Sequence, residues 1–530
     1  MLATHSGRHI ARRFAVASRS GGLSGRCSAV LGTSHTHPRF YTTQNGANSV
    51  NTLLSRRKLV LFCSAGLLFA SYSLWAHRPI GLDAVDGIRH YTNKSSNSGD
   101  TITLLSDDAV NKKLRAMQQS YNVTRGKGVV RYDVAQLPSN NPIEDNHVEQ
   151  VITVPAKQGE DDLYFFGIFD GHSGPFTSAK LSRDMVRYVA KQLSPLVTGD
   201  ARGSSAEVDT AISSAFVQLD NDIVQESFRN LFKDPSQENM ASLLPAISGS
   251  CALLSLYNSR DKSLKVAVTG DSRALIGSVD AKGNWTTRAL STDQTGDNAA
   301  EVQRIQEEHP GEPNAVRRGR VLGCLQPSRA FGDYRYKVNS VDGHKLNELP
   351  DHVKVYFRSE PRDLLTPPYV TARPEVTTTA IDNSTKFMVM GSDGLFELLT
   401  NEEIAGLVVR WSEKYMNKST TVAQTLPVVS DLSDDKEAQR PAFRYKKSAQ
   451  NSSAYLLEDA NVATHLIRNA LSAGGQKSYV STLASIPEPM SRKYRDDLTV
   501  TVVFFGDEAT GPAGTLVLNP DATTPPAPRL

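Results

Sequence analysis

The 530-residue chain has few cysteines, and most of it shows no excess of basic residues. Its four cysteines are Cys27, Cys63, Cys251 and Cys324, which are too few and too scattered for a disulfide framework or a zinc cluster. Beyond residue 82 the chain carries 49 basic and 56 acidic residues. This mildly acidic composition shows no basic stripe, which argues against nucleic acid as a partner.

Acidic residues are absent before Asp83, whereas the same stretch contains ten lysines and arginines. Residues 1–41 are rich in Arg, Ser and Ala, and Arg8, Arg12, Arg13 and Arg19 alternate with apolar residues. This composition is typical of a mitochondrial presequence, and we place its cleavage after Tyr41. The alternative is a disordered basic tail.

Long uncharged apolar stretches are also scarce, and the one that stands out covers residues 59–76. Its 18 residues are near the lower length limit for a spanning helix, and basic residues flank both ends. We therefore predict a transmembrane helix in the mitochondrial inner membrane, with a buried or cleaved segment as the alternative. Whether the remaining chain would lie in the matrix or in the intermembrane space stays open.

The rest of the sequence predicts one large α/β domain. Residues 79–125 are interpreted as a linker with one helix over 107–120, and the folded domain covers 126–506. Two polar stretches, 335–366 and 415–455, are interpreted as exposed insertions. The tail 507–530 is rich in Pro, Thr and Ala and is predicted to be disordered.

Four aspartates recur in one context, because each lies at the edge of a predicted strand. They are Asp170, Asp271, Asp393 and Asp496. Such acids often cap strands in solvent, but four in the same setting favour convergence on one site. A carboxylate cluster without cysteine favours Mg²⁺ or Mn²⁺ over zinc. Two such ions could activate water and clamp a phosphoryl group, which predicts metal-assisted phosphate hydrolysis.

Five motifs then occur in an order that resembles the metal-dependent serine/threonine phosphatases of the 2C type. They are Asp170-Gly171-His172-Ser173-Gly174, Gly270-Asp271-Ser272-Arg273, Ser328-Arg329-Ala330-Phe331-Gly332-Asp333, Ser392-Asp393-Gly394 and Arg495-Asp496-Asp497-Leu498-Thr499-Val500. The resemblance covers about 126–506. It implies an αββα sandwich in which helices flank two antiparallel sheets, with metal ions in a cleft at one end.

The resemblance also implies roles for individual residues. Asp170 would bridge two metal ions, and the Gly171 carbonyl would bind one of them. Asp393 and Asp496 would complete the second site, with Asp497 as the rival of Asp496. The resemblance gives three further residues the following roles: Glu144 holds metal-bound water, Asp271 ligates a looser third ion, and His172 protonates the leaving seryl or threonyl oxygen. Arg329 and Asp333 are expected to be structural.

Two positions depart from the family pattern. Ser173 replaces a glycine, and Asn140 stands where the family has a phosphate-binding arginine, so the cation that binds phosphate is unassigned. Residues 136–145, 322–327 and 367–376 resemble the pyruvate dehydrogenase phosphatase branch. This implies a mitochondrial phosphoprotein substrate, for which the E1 alpha subunit of pyruvate dehydrogenase is one candidate.

Other interpretations remain open at this stage. A catalytically inactive family member could act as a membrane-tethered binding module, and a tethered hydrolase could act on small phosphate esters. All of the expected acids are present, which favours an active enzyme. The terminal Pro528-Arg529-Leu530 resembles a relaxed peroxisomal signal and would give the chain a second address.

Overall fold

The computed structural model describes residues 40–42, 103–156, 159–197, 203–434, 453–506 and 516–525. Within these ranges, none of the helices combines the length and apolar composition needed to cross a membrane. The predicted transmembrane segment 59–76, and the predicted presequence apart from its last two residues, lie outside the described residues.

In the described part of the chain, fourteen strands build two large sheets. In chain order they are β1 Phe40–Thr42, β2 Met117–Val123, β3 Val129–Leu137, β4 Asn146–Pro155, β5 Glu160–Phe169, β6 Ala252–Asn258, β7 Ser263–Thr269, β8 Arg273–Val279, β9 Trp285–Ala289, β10 Glu375–Ala380, β11 Thr385–Gly391, β12 Val429–Asp431, β13 Leu498–Phe505 and β14 Leu516–Leu518. Short two-residue strands form smaller pairings, among them a three-stranded set of Gly171–His172, Gly249–Ser250 and Phe331–Gly332. The other two pairings join Val316–Arg317 to Arg320–Val321 and Ser340–Val341 to His344–Lys345.

Eleven α-helices occur in the described residues. They are α1 Asp107–Arg115, α2 Phe176–Val197, α3 Ser205–Asn221, α4 Ser227–Lys233, α5 Gln237–Ile247, α6 Ala299–Glu308, α7 Asp351–Lys354, α8 Asp393–Phe396, α9 Asn401–Tyr415, α10 Val462–Leu471 and α11 Lys477–Ser485. A π-helical turn, Asp222–Glu226, joins α3 to α4, and 3₁₀ turns cover Tyr334–Tyr336, Leu346–Glu348, Met490–Lys493 and Pro520–Ala522. Thr400 begins α9 with a reciprocal capping box to Glu403.

The two sheets face each other. The first has the strand order β1-β4-β5-β6-β7-β10 and the second has the order β12-β9-β8-β11-β13-β3-β2-β14. Neighbouring strands are antiparallel except for β9 and β12, which pair in parallel. Apolar residues from both sheets, such as Phe166 and Met390, form one buried cluster between them. The described body therefore matches the predicted sandwich, apart from that one parallel pair.

Helices cover the outer face of each sheet. A cluster that includes Phe216 and Phe228 packs α2 to α5 against the first sheet. A second cluster, around the fully buried Trp411, packs α9 to α11 against the second sheet. Burying both faces of a sheet in this way explains why β13 is buried along its whole length and β5 is buried from Asp162 onward.

The ends of the predicted domain differ from the structure. The expected helix over 107–120 ends at Arg115, and Met117–Val123 forms β2, which pairs with β3. Pairing within a sheet overrides the weak local helix preference of this segment. In the predicted disordered tail, β14 pairs with β2 and Ala522 is buried. The folded body therefore extends beyond 126–506 on both sides.

The two predicted insertions also contribute to the fold. Within 335–366, a set of apolar side chains enters the first helical cluster: Val338, Val341, Leu346, Leu349 and Val353. They are spaced too irregularly to show a helix or strand period, which is why the sequence suggested an exposed stretch. Within 415–455, β12 joins the second sheet, and residues 435–452 lie outside the described ranges.

Candidate metal centre

Three of the four predicted aspartates meet at one end of the sandwich. Asp170 directly follows β5 in the first sheet, Asp271 lies in the turn between β7 and β8, and Asp393 begins α8 just after β11 in the second sheet. One carboxylate oxygen from each lies within 4.8 Å of the others. Strand ends from both sheets therefore bring together acids that are far apart in the chain.

The cluster fits a divalent cation. Asp393 Oδ1 is buried and has no hydrogen-bond partner among the residues that the structure describes. Burial, reinforced by neighbouring negative charges, raises the pKa values of Asp170 and Asp393 well above the ordinary range. Repulsion of this kind is relieved by a cation between the carboxylates, and an all-oxygen ligand set suits Mg²⁺ or Mn²⁺.

Asp271 has a different environment from the other two acids. Burial raises its pKa, and the Cys251 thiol donates a hydrogen bond to Asp271 Oδ1 at 3.1 Å. Because one of its oxygens already has a protein partner, Asp271 is less dependent on a metal ion than Asp393 is. The looser ligand role that the resemblance implied for Asp271 stays a prediction.

The fourth acid, Asp496, lies beside this group, and its charge raises the pKa of both Asp170 and Glu144. Burial, opposed by the nearby Arg492, raises the pKa of Asp496 itself to about 7. The rival Asp497 is 2% exposed and directs its carboxylate away, into the loop before β4.

Asp497 uses both oxygens within that loop. Its Oδ1 accepts hydrogen bonds from the Ser139 amide at 2.5 Å, the Ser139 hydroxyl at 2.8 Å and the Asn140 amide at 3.2 Å. Its Oδ2 accepts from the Glu144 amide at 2.9 Å. Both carboxylate oxygens of Asp497 are therefore occupied by donors of this loop, and the ligand role of Asp496 stays a prediction.

Glu144 lies in this loop, between the acid cluster and the turn that follows Asp170. Its Oε1 accepts a hydrogen bond from the Gly174 amide at 2.5 Å, and its Oε2 accepts from Asn140 Nδ2 at 3.1 Å. Burial raises the Glu144 pKa to about 7. A side chain at Gly171 would place Cβ 2.2 Å from the Glu144 carbonyl oxygen, so only glycine allows this close approach.

Two acids at the site were not predicted. Asp145 is fully buried, and its Oδ2 accepts a hydrogen bond from Thr499 Oγ1 at 2.7 Å. Its charge raises the pKa of Asp170 more than any other neighbouring carboxylate does. Glu397, one helical turn after Asp393, has a pKa raised to about 7 by burial and by Asp496. Two features of the sequence could have indicated these acids: Asp145 directly follows Glu144, and Glu397 lies four residues after Asp393.

His172 forms a close pair with Asp333 at the edge of the cluster, with Nε2 and Oδ2 2.6 Å apart. Burial favours the neutral ring, but the Asp333 charge and hydrogen bond outweigh it and raise the His172 pKa. A Cβ at Gly249 would lie 2.1 Å from His172 Nε2 and 2.3 Å from Asp333 Oδ2. The His172–Asp333 pair therefore packs so closely against Gly249 that only glycine fits at this position.

Asp333 and Arg329, which were both expected to be structural, have different partners. Asp333 was expected to be structural, yet it contacts the candidate general acid directly. Arg329 instead pairs with Glu301 at 2.6 and 3.0 Å, which ties α6 to the loop before Phe331–Gly332. Pairing across such a distance in the chain leaves no local signal in the sequence.

Comparison with known families defines the class. The family described as protein phosphatase 2C matches residues 139–428, a range that contains Asp170, Asp271 and Asp393. The chain therefore belongs to the protein phosphatase 2C family and is a protein serine/threonine phosphatase, an enzyme class that depends on Mg²⁺ or Mn²⁺.

Three individual relatives match most of the chain. The mitochondrial [pyruvate dehydrogenase [acetyl-transferring]]-phosphatase 1 of Saccharomyces cerevisiae is 56% identical over 93% of this chain and 94% of its own length. The protein of the same name from Bos taurus is 31% identical over 77% of this chain and 84% of its own length. The protein phosphatase 2C homolog C10F6.17c of Schizosaccharomyces pombe is 40% identical over 76% and 86%.

Proposed function

We propose that this phosphatase hydrolyses phosphoserine and phosphothreonine at a binuclear Mg²⁺ or Mn²⁺ centre and acts on the pyruvate dehydrogenase complex in mitochondria. The observation that carries the site is the meeting of Asp170, Asp271 and Asp393, with one buried oxygen left without a partner. The names of the relatives supply the substrate and the compartment.

The ligand assignment is the one that the family resemblance implies, and the convergence of three of the acids supports it. Asp170 and the Gly171 carbonyl would hold the ions together with Asp393 and Asp496, and Asp271 would take a weaker third ion. Bound Mg²⁺ or Mn²⁺ supplies Lewis acidity toward the phosphoryl group and lowers the pKa of the water that it holds. Glu144, anchored by the Gly174 amide, would orient water at the same place.

His172 would act as the general acid. The Asp333 carboxylate favours its protonated form, so the ring can donate a proton to the leaving seryl or threonyl oxygen. Alkoxide leaving groups need this proton because they are poor leaving groups as anions. The E1 alpha subunit of pyruvate dehydrogenase would present such an oxygen after phosphorylation.

The first experiment tests the metal site. The full-length protein is assayed on a phosphoserine peptide in Mn²⁺ and after EDTA treatment, and Mn²⁺ binding is measured by calorimetry. Asp170→Asn and Asp393→Asn are each expected to abolish hydrolysis and to weaken Mn²⁺ binding. Glu307→Gln, an exposed acid on α6, serves as the control. Wild-type hydrolysis by Asp170→Asn, or activity in excess EDTA, would reject the assignment.

The same assay decides between an active enzyme and an inactive binding module. An inactive member should lack one or more ligands, whereas the acids expected here are all present and three of them converge. Substrate choice is tested with phosphorylated pyruvate dehydrogenase complex against an unrelated phosphoprotein. Equal rates on both would remove the proposed specificity.

The subcellular location of the protein is a separate part of the proposal. A presequence over 1–41 and an inner-membrane anchor at 59–76 would tether the phosphatase in mitochondria, and Pro528–Leu530 would supply a second, peroxisomal pool. Deleting 59–76 should release the mitochondrial protein into the carbonate-soluble fraction. Deleting Pro528–Leu530 should remove any peroxisomal signal of a tagged protein, and unchanged imaging would rule out the second address.

A further inference from the structure

The metal cluster is rich in acids, yet the loop nearest to Glu144 offers no cation to a phosphate group. Asn140 is 7% exposed, and its amide Nδ2 donates to Glu144 Oε2 at 3.1 Å. An amide carries no charge, and this one is directed at a carboxylate. Recognition of a phosphate dianion by proteins relies strongly on Arg or Lys, so another residue near this loop is required.

The 3₁₀ turn Met490–Lys493 brings an arginine to the same loop. Ser491 Oγ donates to the Ser139 carbonyl at 2.8 Å, which fixes the turn beside Asn140 and Glu144. From this turn Arg492 reaches Asp496, with Nη2 2.6 Å from Oδ2. The Arg492 side chain is 41% exposed, so it lies at the open side of the cluster and not beneath it.

Arg492 lies between Asp496 and the loop that holds Asn140 and Glu144. Its partner Asp496 directly precedes Asp497, and Asp497 Oδ2 accepts a hydrogen bond from the Glu144 amide at 2.9 Å. A guanidinium presents five donors in a planar fork and can contact a carboxylate and a phosphate along different edges.

Other arginines near the site have structural partners. Arg495 is 5% exposed and donates to the carbonyls of Leu137 and Pro138, at 3.4 and 2.6 Å. Arg273 is 2% exposed and forms an ion pair with Asp293. The remaining rival is Arg358, whose Nη1 donates to Ser173 Oγ at 2.6 Å beside the general acid.

We infer that Arg492 binds the phosphate oxygens of the substrate and thereby takes the role for which Asn140 is unsuited. In this role Arg492 is a substrate-binding residue, and its contact with Asp496 holds the guanidinium at the edge of the metal cluster. The inference rests on the proposed phosphatase function and adds a cation beside the loop of Asn140, which has none. A residue that only compensates the charge of Asp496 would affect the metal ion and not the phosphate.

The test measures phosphate and metal separately on the full-length protein. Calorimetric titration with inorganic phosphate in saturating Mn²⁺ gives the phosphate affinity, and titration with Mn²⁺ alone gives the metal affinity. Arg492→Gln is expected to weaken phosphate binding by roughly tenfold or more, since it removes a charged hydrogen-bond donor. Inhibition of peptide hydrolysis by phosphate should weaken in parallel, with Mn²⁺ affinity within about twofold of wild type.

Three variants sharpen the result. Arg492→Lys keeps the charge but loses the fork, so an intermediate phosphate affinity is expected, and this variant is the one to interpret if Arg492→Gln does not fold. Lys493→Gln removes a charge from the same turn and should leave phosphate binding unchanged. Arg358→Gln removes the rival arginine and should also leave it unchanged.

Two results would overturn the inference. One is phosphate affinity within twofold of wild type in folded Arg492→Gln, or in Arg492→Lys if only that variant folds. The other is a loss of phosphate binding in Arg358→Gln without a loss in Arg492→Gln. Because the titration measures binding and not turnover, an inactive wild type that still binds phosphate through Arg492 would refute the proposed function alone.

Discussion

Replacing Asp333 by Asn tests how the proposed general acid is kept protonated. His172 Nε2 and Asp333 Oδ2 are 2.6 Å apart, and Asp333 is 5% exposed. A hydrogen bond to a charged group contributes about 1.5–3 kcal/mol, equivalent to a roughly 10- to 150-fold preference for the protonated ring. Asparagine is nearly the same size, so Asp333→Asn removes this preference with little change in packing.

The expected result depends on the leaving group. General acid catalysis contributes about 10²–10⁴ to the rate, so Asp333→Asn should lose roughly 10- to 100-fold on a phosphoserine peptide at pH 8. Hydrolysis of p-nitrophenyl phosphate should change little, because nitrophenolate leaves without being protonated. The His172 pKa lies above its ordinary value in the wild type, so activity is lost as pH rises through it, and this alkaline limb should move to lower pH in the variant.

The assay compares kcat for both substrates across pH in saturating Mn²⁺. His172→Ala should show the same dependence on the leaving group with a larger loss. Glu149→Gln provides a matched control, because it removes the carboxylate from a second pair, His147 with Glu149 on β4 at 2.9 Å. An unchanged alkaline limb, or an equal loss on both substrates, would show that Asp333 does not act through His172.

Three further predictions address the frame of the site and the body of the fold. Asp497→Asn should destabilise the protein by about 2–4 kcal/mol in denaturant unfolding, because its amide group would face hydrogen-bond donors of the loop before β4. Asp496→Asn should instead lose Mn²⁺ binding in calorimetry with little loss of stability. The reverse pattern would show that Asp497 binds the metal ion and Asp496 supports the loop. Gly249→Ala should lower phosphopeptide hydrolysis at least tenfold, since its Cβ would lie 2.1 Å from His172 Nε2. Full activity of this variant would contradict the close packing of His172 against Gly249. Burial lowers the pKa of His465 to about 4, so between pH 6.5 and 4 the unfolded chain takes up a proton at this residue that the folded chain does not. The unfolding free energy of the wild type, measured relative to that of His465→Gln, should therefore fall by roughly 3 kcal/mol over this range, and a constant difference would contradict the prediction.

Much of the fold could be predicted from local patterns. The strands β5, β11 and β13 each contain a short run of apolar or β-branched residues, and α9 carries both its cap and its helical period in the sequence. Segments without a clear period were predicted poorly. Met117–Val123 and residues 335–366 adopt their structures through pairing and packing with distant parts of the chain, which local preference does not encode.

The candidate site shows the same division. The sequence indicated Asp170, Asp271 and Asp393 because each follows a predicted strand, and the structure brings these three together. It placed Asp496 in the site with Asp497 as the rival, but which of the two points at the other acids depends on the loop that surrounds them, since neighbouring residues on an extended chain point in opposite directions. Asp497 turns inward because the amides of 139–144 need an acceptor there.

By itself, the sequence determined the chemical character of this protein: oxygen ligands without a cysteine cluster, a histidine next to a strand-end aspartate, and motifs in the order of one phosphatase family. Only the tertiary structure decided which acids share the pocket, that Asp333 holds His172, and that Arg492 stands beside the loop where Asn140 carries no charge. The physical reason is that ligand type depends on the residue alone, whereas proximity depends on two sheets packing so that the ends of their strands meet.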